Sequence, residues 1–136
     1  MTARARKYRI LVVDDEPSVL LTYQMILEQK GYEVVAAASS EKARRALESS
    51  LQLDLLLCDL SLEEKDSGFA IIEYARHRQP GLPALLLTGY AGKDVSARAL
   101  HLGIAVLLKP IDIQEFLATI RAHLRNPYGQ KEASGQ

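Results

Sequence analysis

Ile10-Leu11-Val12-Val13-Asp14-Asp15-Glu16-Pro17 is the stretch from which the rest of the chain can be read. Four apolar residues in an unbroken run mark a strand buried on both faces, as in a parallel sheet, because a strand with one wet face would alternate. Three carboxylates end the run. Pro17 then sits where a first helical turn tolerates a missing N–H. The unit is a strand, an acidic turn and a helix.

The unit recurs along the chain. Val19, Tyr23, Ile26 and Leu27 follow at helical spacing, and Gly31 stops that helix. Glu33–Ala37 reads as a second strand, and Ser39 or Ser40 caps a helix whose inner face holds Ala43, Ala46 and Leu47. Residues 53–59 form the third strand, and a polar loop over 61–68 leads to a helix with Phe69, Ile72 and Ala75 inside. Pro80-Gly81-Leu82-Pro83 is a turn, followed by the strand Ala84–Thr88, a loop over 89–93 and a helix over 94–102 ended by Gly103. Residues 104–108 make a fifth strand. Asp112, with Glu115 three residues on, opens a last helix as a capping box, with Ile113, Phe116, Leu117 and Ile120 turned inward and Asn126-Pro127 closing it.

Five such units in series imply an α/β fold, a parallel sheet with right-handed crossovers and helices on both faces. The whole chain of 136 residues is one domain's worth. Residues 1–8 read as a basic arm, 9–125 as the domain and 126–136 as a polar tail or the start of a linker.

Composition narrows the function. Lys plus Arg and Asp plus Glu each total 17, but Arg4, Arg6, Lys7 and Arg9 crowd the first ten residues and leave 13 basic against 17 acidic residues behind them. A mildly acidic body argues against a nucleic-acid surface, and the basic arm reads as a solvated terminus. Cys58 is the single cysteine, so no disulfide scaffold exists. No apolar run approaches the roughly 18 residues of a membrane span, and residues 10–13 are too short for a signal peptide. A cytoplasmic protein without membrane contact is expected.

In open parallel sheets, chemistry sits outside the carboxyl ends of the strands. Those ends carry Asp14-Asp15, Asp59, Thr88 and Lys109-Pro110. Each alone has a plain structural reading: an acidic first turn, a loop carboxylate, a strand-end hydroxyl bonded to backbone, a solvated lysine. Four separate strands delivering three carboxylates, a hydroxyl and an ammonium to one rim is what points to a site. His77, His101 and His123 fall on or at the ends of helices instead, and Cys58 has its side chain on the sheet face opposite to that of Asp59.

Val12-Val13-Asp14-Asp15-Glu16-Pro17, Leu57-Cys58-Asp59-Leu60, Leu87-Thr88-Gly89 and Leu108-Lys109-Pro110 together resemble the receiver domain of two-component response regulators. The resemblance implies a flavodoxin-like sheet in the order 2-1-3-4-5. It implies that Asp59 accepts a phosphoryl group from a sensor histidine kinase or a histidine phosphotransfer protein. Clustered carboxylates need a cation among them, and a hard ion such as Mg²⁺, or Mn²⁺, takes oxygen ligands. Asp15 and Asp59 are then its side-chain ligands, Asp14 acts directly or through a water, and Ser61 gives its backbone carbonyl. Lys109 neutralises phosphoryl oxygens and Thr88 hydrogen-bonds one of them. The domain would be no enzyme beyond its own phosphorylation and dephosphorylation. Its expected partners are the kinase or phosphotransfer protein and a downstream effector or fused output domain, with a homodimer through the fourth helix, fifth strand and fifth helix as a further expectation.

The sequence also departs from that pattern. Val106 stands three residues before the lysine, where many receivers carry Tyr or Phe as a rotameric switch, and the segment from Gly103 to Lys109 is one residue short. Glu63 stands where a proline is common, with about one extra residue before Gly68. Among rivals, aspartate-nucleophile phosphatases need a second Asp two residues after the first, and Ser61 occupies that place. The Gly-rich loops of P-loop or dinucleotide-binding proteins are missing. A binding module with a vestigial site is the alternative reading.

Overall fold

Parallel pairing sets the frame of the computed structural model, which describes residues 7–125. The strands β1 (Arg9–Val13), β2 (Glu33–Ala37), β3 (Leu55–Asp59), β4 (Ala84–Thr88) and β5 (Ala105–Leu108) alternate with helices α1 (Pro17–Gln29), α2 (Ser40–Glu48), α3 (Ser67–Arg78), α4 (Lys93–Leu102) and α5 (Ile113–Arg125). They form one sheet in the order β2-β1-β3-β4-β5, parallel at every pairing. The expected fold and strand order are those observed.

Period-two alternation divides the strands between two apolar layers. Ile10, Val12, Leu55, Leu57, Leu85 and Leu87 meet Leu20, Tyr23 and Leu27 of α1 and Phe116 and Ile120 of α5. Leu11, Val13, Leu56, Cys58 and Leu86 meet α2, α3 and Ala99 of α4 on the other face. Because both faces are covered, the central strands are apolar at nearly every position and their side chains are fully buried. Each such aliphatic side chain contributes about 1.5–3 kcal/mol from burial.

Local chemistry sets the helix ends. Ser39 caps α2 by accepting the Lys42 N–H at 3.1 Å, and Asp112 accepts the Gln114 and Glu115 N–H groups at 2.9 and 3.3 Å to open α5. Gly103, at φ +69°, ends α4 in the left-handed conformation.

Several boundaries and orientations depart from the sequence reading. The third strand begins at Leu55: ahead of it the Leu53 N–H donates to the Gln79 side chain, while Asp54 accepts the Arg9 N–H with its carboxylate and donates its own N–H to the Arg9 carbonyl at 2.8 Å. The fifth strand loses Ile104, whose N–H donates to the Ala99 carbonyl in the cap of α4. Ile113 is 42% exposed rather than inward, since it opens α5 before the helix has settled onto the sheet. Arg9, the first residue of the expected 9–125 domain, is fixed rather than solvated: its guanidinium donates to Glu33 at 2.9 Å and to the Gln52 carbonyl at 3.0 Å. The arm up to residue 6, and the tail from 126, lie outside the described residues. Among those described, no helix is long and apolar enough to cross a membrane.

Candidate functional site

The register carries the ends of β1, β3, β4 and β5 to a common rim, with Val13 beside Cys58, Asp59 beside Leu87 and Thr88 beside Leu108. Side chains leaving those strands emerge next to one another.

Asp14 follows β1 and is fully buried. Its Oδ1 accepts the Glu16 N–H at 2.9 Å and its Oδ2 accepts from Lys109 Nζ at 3.4 Å. Asp59 closes β3 with 13% of its side chain exposed and Oδ1 at 3.3 Å from Lys109 Nζ. Asp15 is the most open of the three carboxylates, and all three offer an oxygen within 4.8 Å of the others. Lys109 enters from the end of β5, where its N–H donates to the Thr88 carbonyl at 2.8 Å. The structure thus brings together Asp14, Asp15, Asp59 and Lys109 from three strand ends separated by up to 95 residues.

Electrostatics follow from that crowding. Burial pushes the Asp59 carboxyl above its ordinary range; Lys109 pulls it down, while Asp14 and Asp15 push it up again. Burial also works against the charge of Lys109, but Asp59 and Asp14 outweigh it and hold the ammonium above the usual lysine value. Three carboxylates against one ammonium leave a surplus of hard oxygen donors, and such a cluster could hold a divalent metal ion.

The other two sequence candidates are placed differently. Thr88 is buried at the end of β4, and its hydroxyl donates to the Tyr90 carbonyl at 2.9 Å, closing a turn on its own loop. Ser61 lies on the loop after β3, and its hydroxyl accepts the Asp66 N–H at 3.2 Å. Ser61, Lys65, Thr88, Tyr90 and Lys93 share a cleft of about 680 Å³ between that loop and the start of α4. His77, His101 and His123 lie on α3, α4 and α5, away from the rim. Cys58 is packed inside, its thiol pushed up by burial, as an inert small hydrophobe would be.

Two residues near the site were not assigned a role from sequence. Gly68 stands so close to β3 that a Cβ would lie 2.3 Å from the Asp59 carbonyl oxygen, so α3 can start against the candidate nucleophile only with glycine there. Glu63 reaches away from the loop after β3 to α2, where Oε2 accepts the Ser40 N–H at 2.9 Å and Oε1 accepts the Ser40 hydroxyl at 2.7 Å. These bonds hold its carboxyl below the usual range. The one readable signal was an acid placed after a helix start that needs acceptors.

The family described as the response regulator receiver domain matches residues 10–121. The chain belongs to that family. The receiver is 32% identical over 120 residues to the transcriptional regulatory protein ZraR of Escherichia coli strain K12, covering 88% of this chain and 27% of ZraR. It is 36% identical over 120 residues to the DNA-binding dual master transcriptional regulator RpaA of Synechocystis, covering 86% of this chain and 49% of RpaA. The receiver thus spans about a quarter to a half of the length of these curated relatives. Among solved structures, a CheY-like response regulator receiver domain protein from Methanospirillum hungatei superposes with a TM-score of 0.80 at 33% identity, covering 87% of this chain and 94% of that one. The receiver domain of the hybrid histidine kinase CckA superposes with a TM-score of 0.69 at 29% identity, covering 85% and 98%.

Proposed function

We propose that this receiver domain is a phosphoacceptor whose Asp59 takes a phosphoryl group from the phosphohistidine of a sensor kinase or phosphotransfer protein. The observation that carries the reading is the joint approach of Lys109 to Asp59 and Asp14, at 3.3 and 3.4 Å, beside the three-carboxylate cluster. An Asp59 oxygen attacks phosphorus and the bond to the donor nitrogen breaks, leaving an acyl phosphate on β3. Lys109 meets charge on the phosphoryl oxygens without leaving the rim. Thr88 gives up its bond to the Tyr90 carbonyl and donates to a phosphoryl oxygen instead. Asp15 and Asp59, with Asp14 directly or through a water and with the Ser61 carbonyl, would hold Mg²⁺ or Mn²⁺. When bound, that ion supplies charge neutralisation across the transferring group.

The domain acts on itself rather than on an external substrate, and its output is a change of binding surface. ZraR and RpaA are named as transcriptional regulators and extend well beyond the matched region, which supports coupling to an effector on the same or another chain. Leu100 on α4 and Leu108 on β5 are 81% and 58% exposed and offer apolar area for that effector or for a second receiver.

Incubation with acetyl phosphate and Mg²⁺, followed by intact mass spectrometry, tests the reading. The wild type should gain one phosphoryl group, Asp59→Ala none, and EDTA should suppress the gain. Equal labelling of Asp59→Ala would sink the assignment. A wild type that takes no label would favour the vestigial binding module.

A further inference from the structure

The loop that leaves β3 toward α3 has to hold Ser61 in one place if its carbonyl is to serve a cation at Asp59. Its base is closed by the Gly68 N–H donating to the Leu60 carbonyl at 2.6 Å. Leu62 is buried, and its N–H donates to the Ser67 hydroxyl at 3.1 Å. Those bonds lie within the loop and the helix it feeds. Two bonds reach outside the loop: the Leu60 N–H donates to the Leu87 carbonyl of β4 at 2.8 Å, and Glu63 makes the one side-chain reach, a two-oxygen grip on Ser40 at the first turn of α2.

That grip has a physical logic. The Ser40 N–H is one of the first helical donors and has no partner within the helix. A carboxylate there is favoured by the helix dipole, and bonds to an ionised acceptor are stronger than neutral ones. The helix is itself fixed, since Ala43 and Leu47 are buried against the sheet. It therefore offers a stationary post, and Ser39 already serves its own cap through Lys42. Where many receivers carry a proline that stiffens the loop from within, this chain ties the loop to a neighbouring helix.

We propose that Glu63 is a positioning residue for the metal site: gripping Ser40, it holds the loop so that the Ser61 carbonyl stays available to Mg²⁺ at Asp59. The proposal deepens the phosphoacceptor reading and rests on it. Glu63 and Ser40 stand outside the cluster of Asp14, Asp15 and Asp59. They act through the loop backbone.

Isothermal titration of Mg²⁺ into the full chain tests the proposal apart from phosphorylation. Glu63→Ala should weaken Mg²⁺ binding about tenfold, the lower end of the loss expected for groups that orient metal ligands. Glu63→Gln keeps an acceptor oxygen for the Ser40 N–H and should recover most of that affinity, which a general effect on folding would not produce. Ser40→Ala should lose less than Glu63→Ala and add little in the Glu63→Ala background, because both variants break the same grip. Wild-type affinity in Glu63→Ala, failure of Gln to rescue, or independent addition of the two losses would each overturn the proposal. Glu63→Gln and Ser40→Ala keep the test decisive if Glu63→Ala does not fold. The parent reading is judged on the wild type: one that binds Mg²⁺ but takes no phosphoryl group on Asp59 refutes the phosphoacceptor, while the titrations still report on Glu63. A wild type that binds no Mg²⁺ overturns both.

Discussion

Asp59 is held in a state that suits a nucleophile and costs the fold something. Its folded carboxyl titrates above the ordinary range, burial being the largest cause. A raised carboxylate contributes stability below its unfolded pKa and loses it as pH rises through the folded value. In metal-free buffer at pH 7, Asp59→Asn should therefore raise the melting temperature of the domain. The gain should fall away as pH drops through about 4 and lower, where the unfolded carboxyl becomes protonated as well. A gain that persists at acid pH in calorimetry would place the strain elsewhere. Gly68 makes a complementary demand, because a Cβ there meets the Asp59 peptide oxygen at 2.3 Å. Gly68→Ala should cost at least about 2 kcal/mol in urea denaturation, since backbone on both sides leaves little room to relax.

The loop between β4 and α4 is the element most exposed to a change at Asp59. It starts from Thr88, whose hydroxyl is engaged with the Tyr90 carbonyl, and Tyr90 itself is 78% exposed. On the proposed phosphorylation, Thr88 would leave that bond for a phosphoryl oxygen and so free residues 89–93. Val106, packed at the edge of the α2–α3 layer, has no ring to follow and few rotamers to exchange. Beryllofluoride with Mg²⁺ should therefore shift NMR signals from Thr88 to Leu102 while Val106 keeps one rotamer, and Tyr90→Ala should shrink those shifts without blocking phosphorylation. An unchanged environment for Tyr90 would refute this route. At its far side α4 is tied to α3, with the Arg98 guanidinium 4.4 Å from the Phe69 ring centre and 3.0 Å from Glu73. The two α4 attachments therefore differ in kind: one sits on the reactive rim and one does not.

Across the whole molecule, two apolar layers fix the rim against which these loops move. A ligand that binds only the folded rim adds to the stability of the entire domain by mass action. At 100 times its dissociation constant, Mg²⁺ should stabilise the wild type by about 2.7 kcal/mol. Asp15→Ala removes the most accessible oxygen donor of the cluster, so most of that gain should disappear at the same Mg²⁺ concentration in differential scanning calorimetry. Equal stabilisation of the variant would mean that the acidic pair serves another purpose.

The apolar runs, the Gly and Pro punctuation and the capping serines and aspartates were enough to place ten elements and the polar residues at each strand end. Those signals are local, and a parallel βα series leaves few ways to arrange them. The meeting of Asp14, Asp15, Asp59 and Lys109 was legible for the same reason: once the order is known, strand ends must share a rim. What tertiary structure alone decided are contacts between segments whose spacing encodes nothing. Glu63 grips Ser40 across 23 residues, Arg98 reaches Glu73 across 25, and Arg9 is drawn off the terminus onto Glu33 and Gln52. Ile113 obeys helical period yet faces solvent, because burial depends on what stands opposite a residue, and a pattern along one helix does not contain its neighbour.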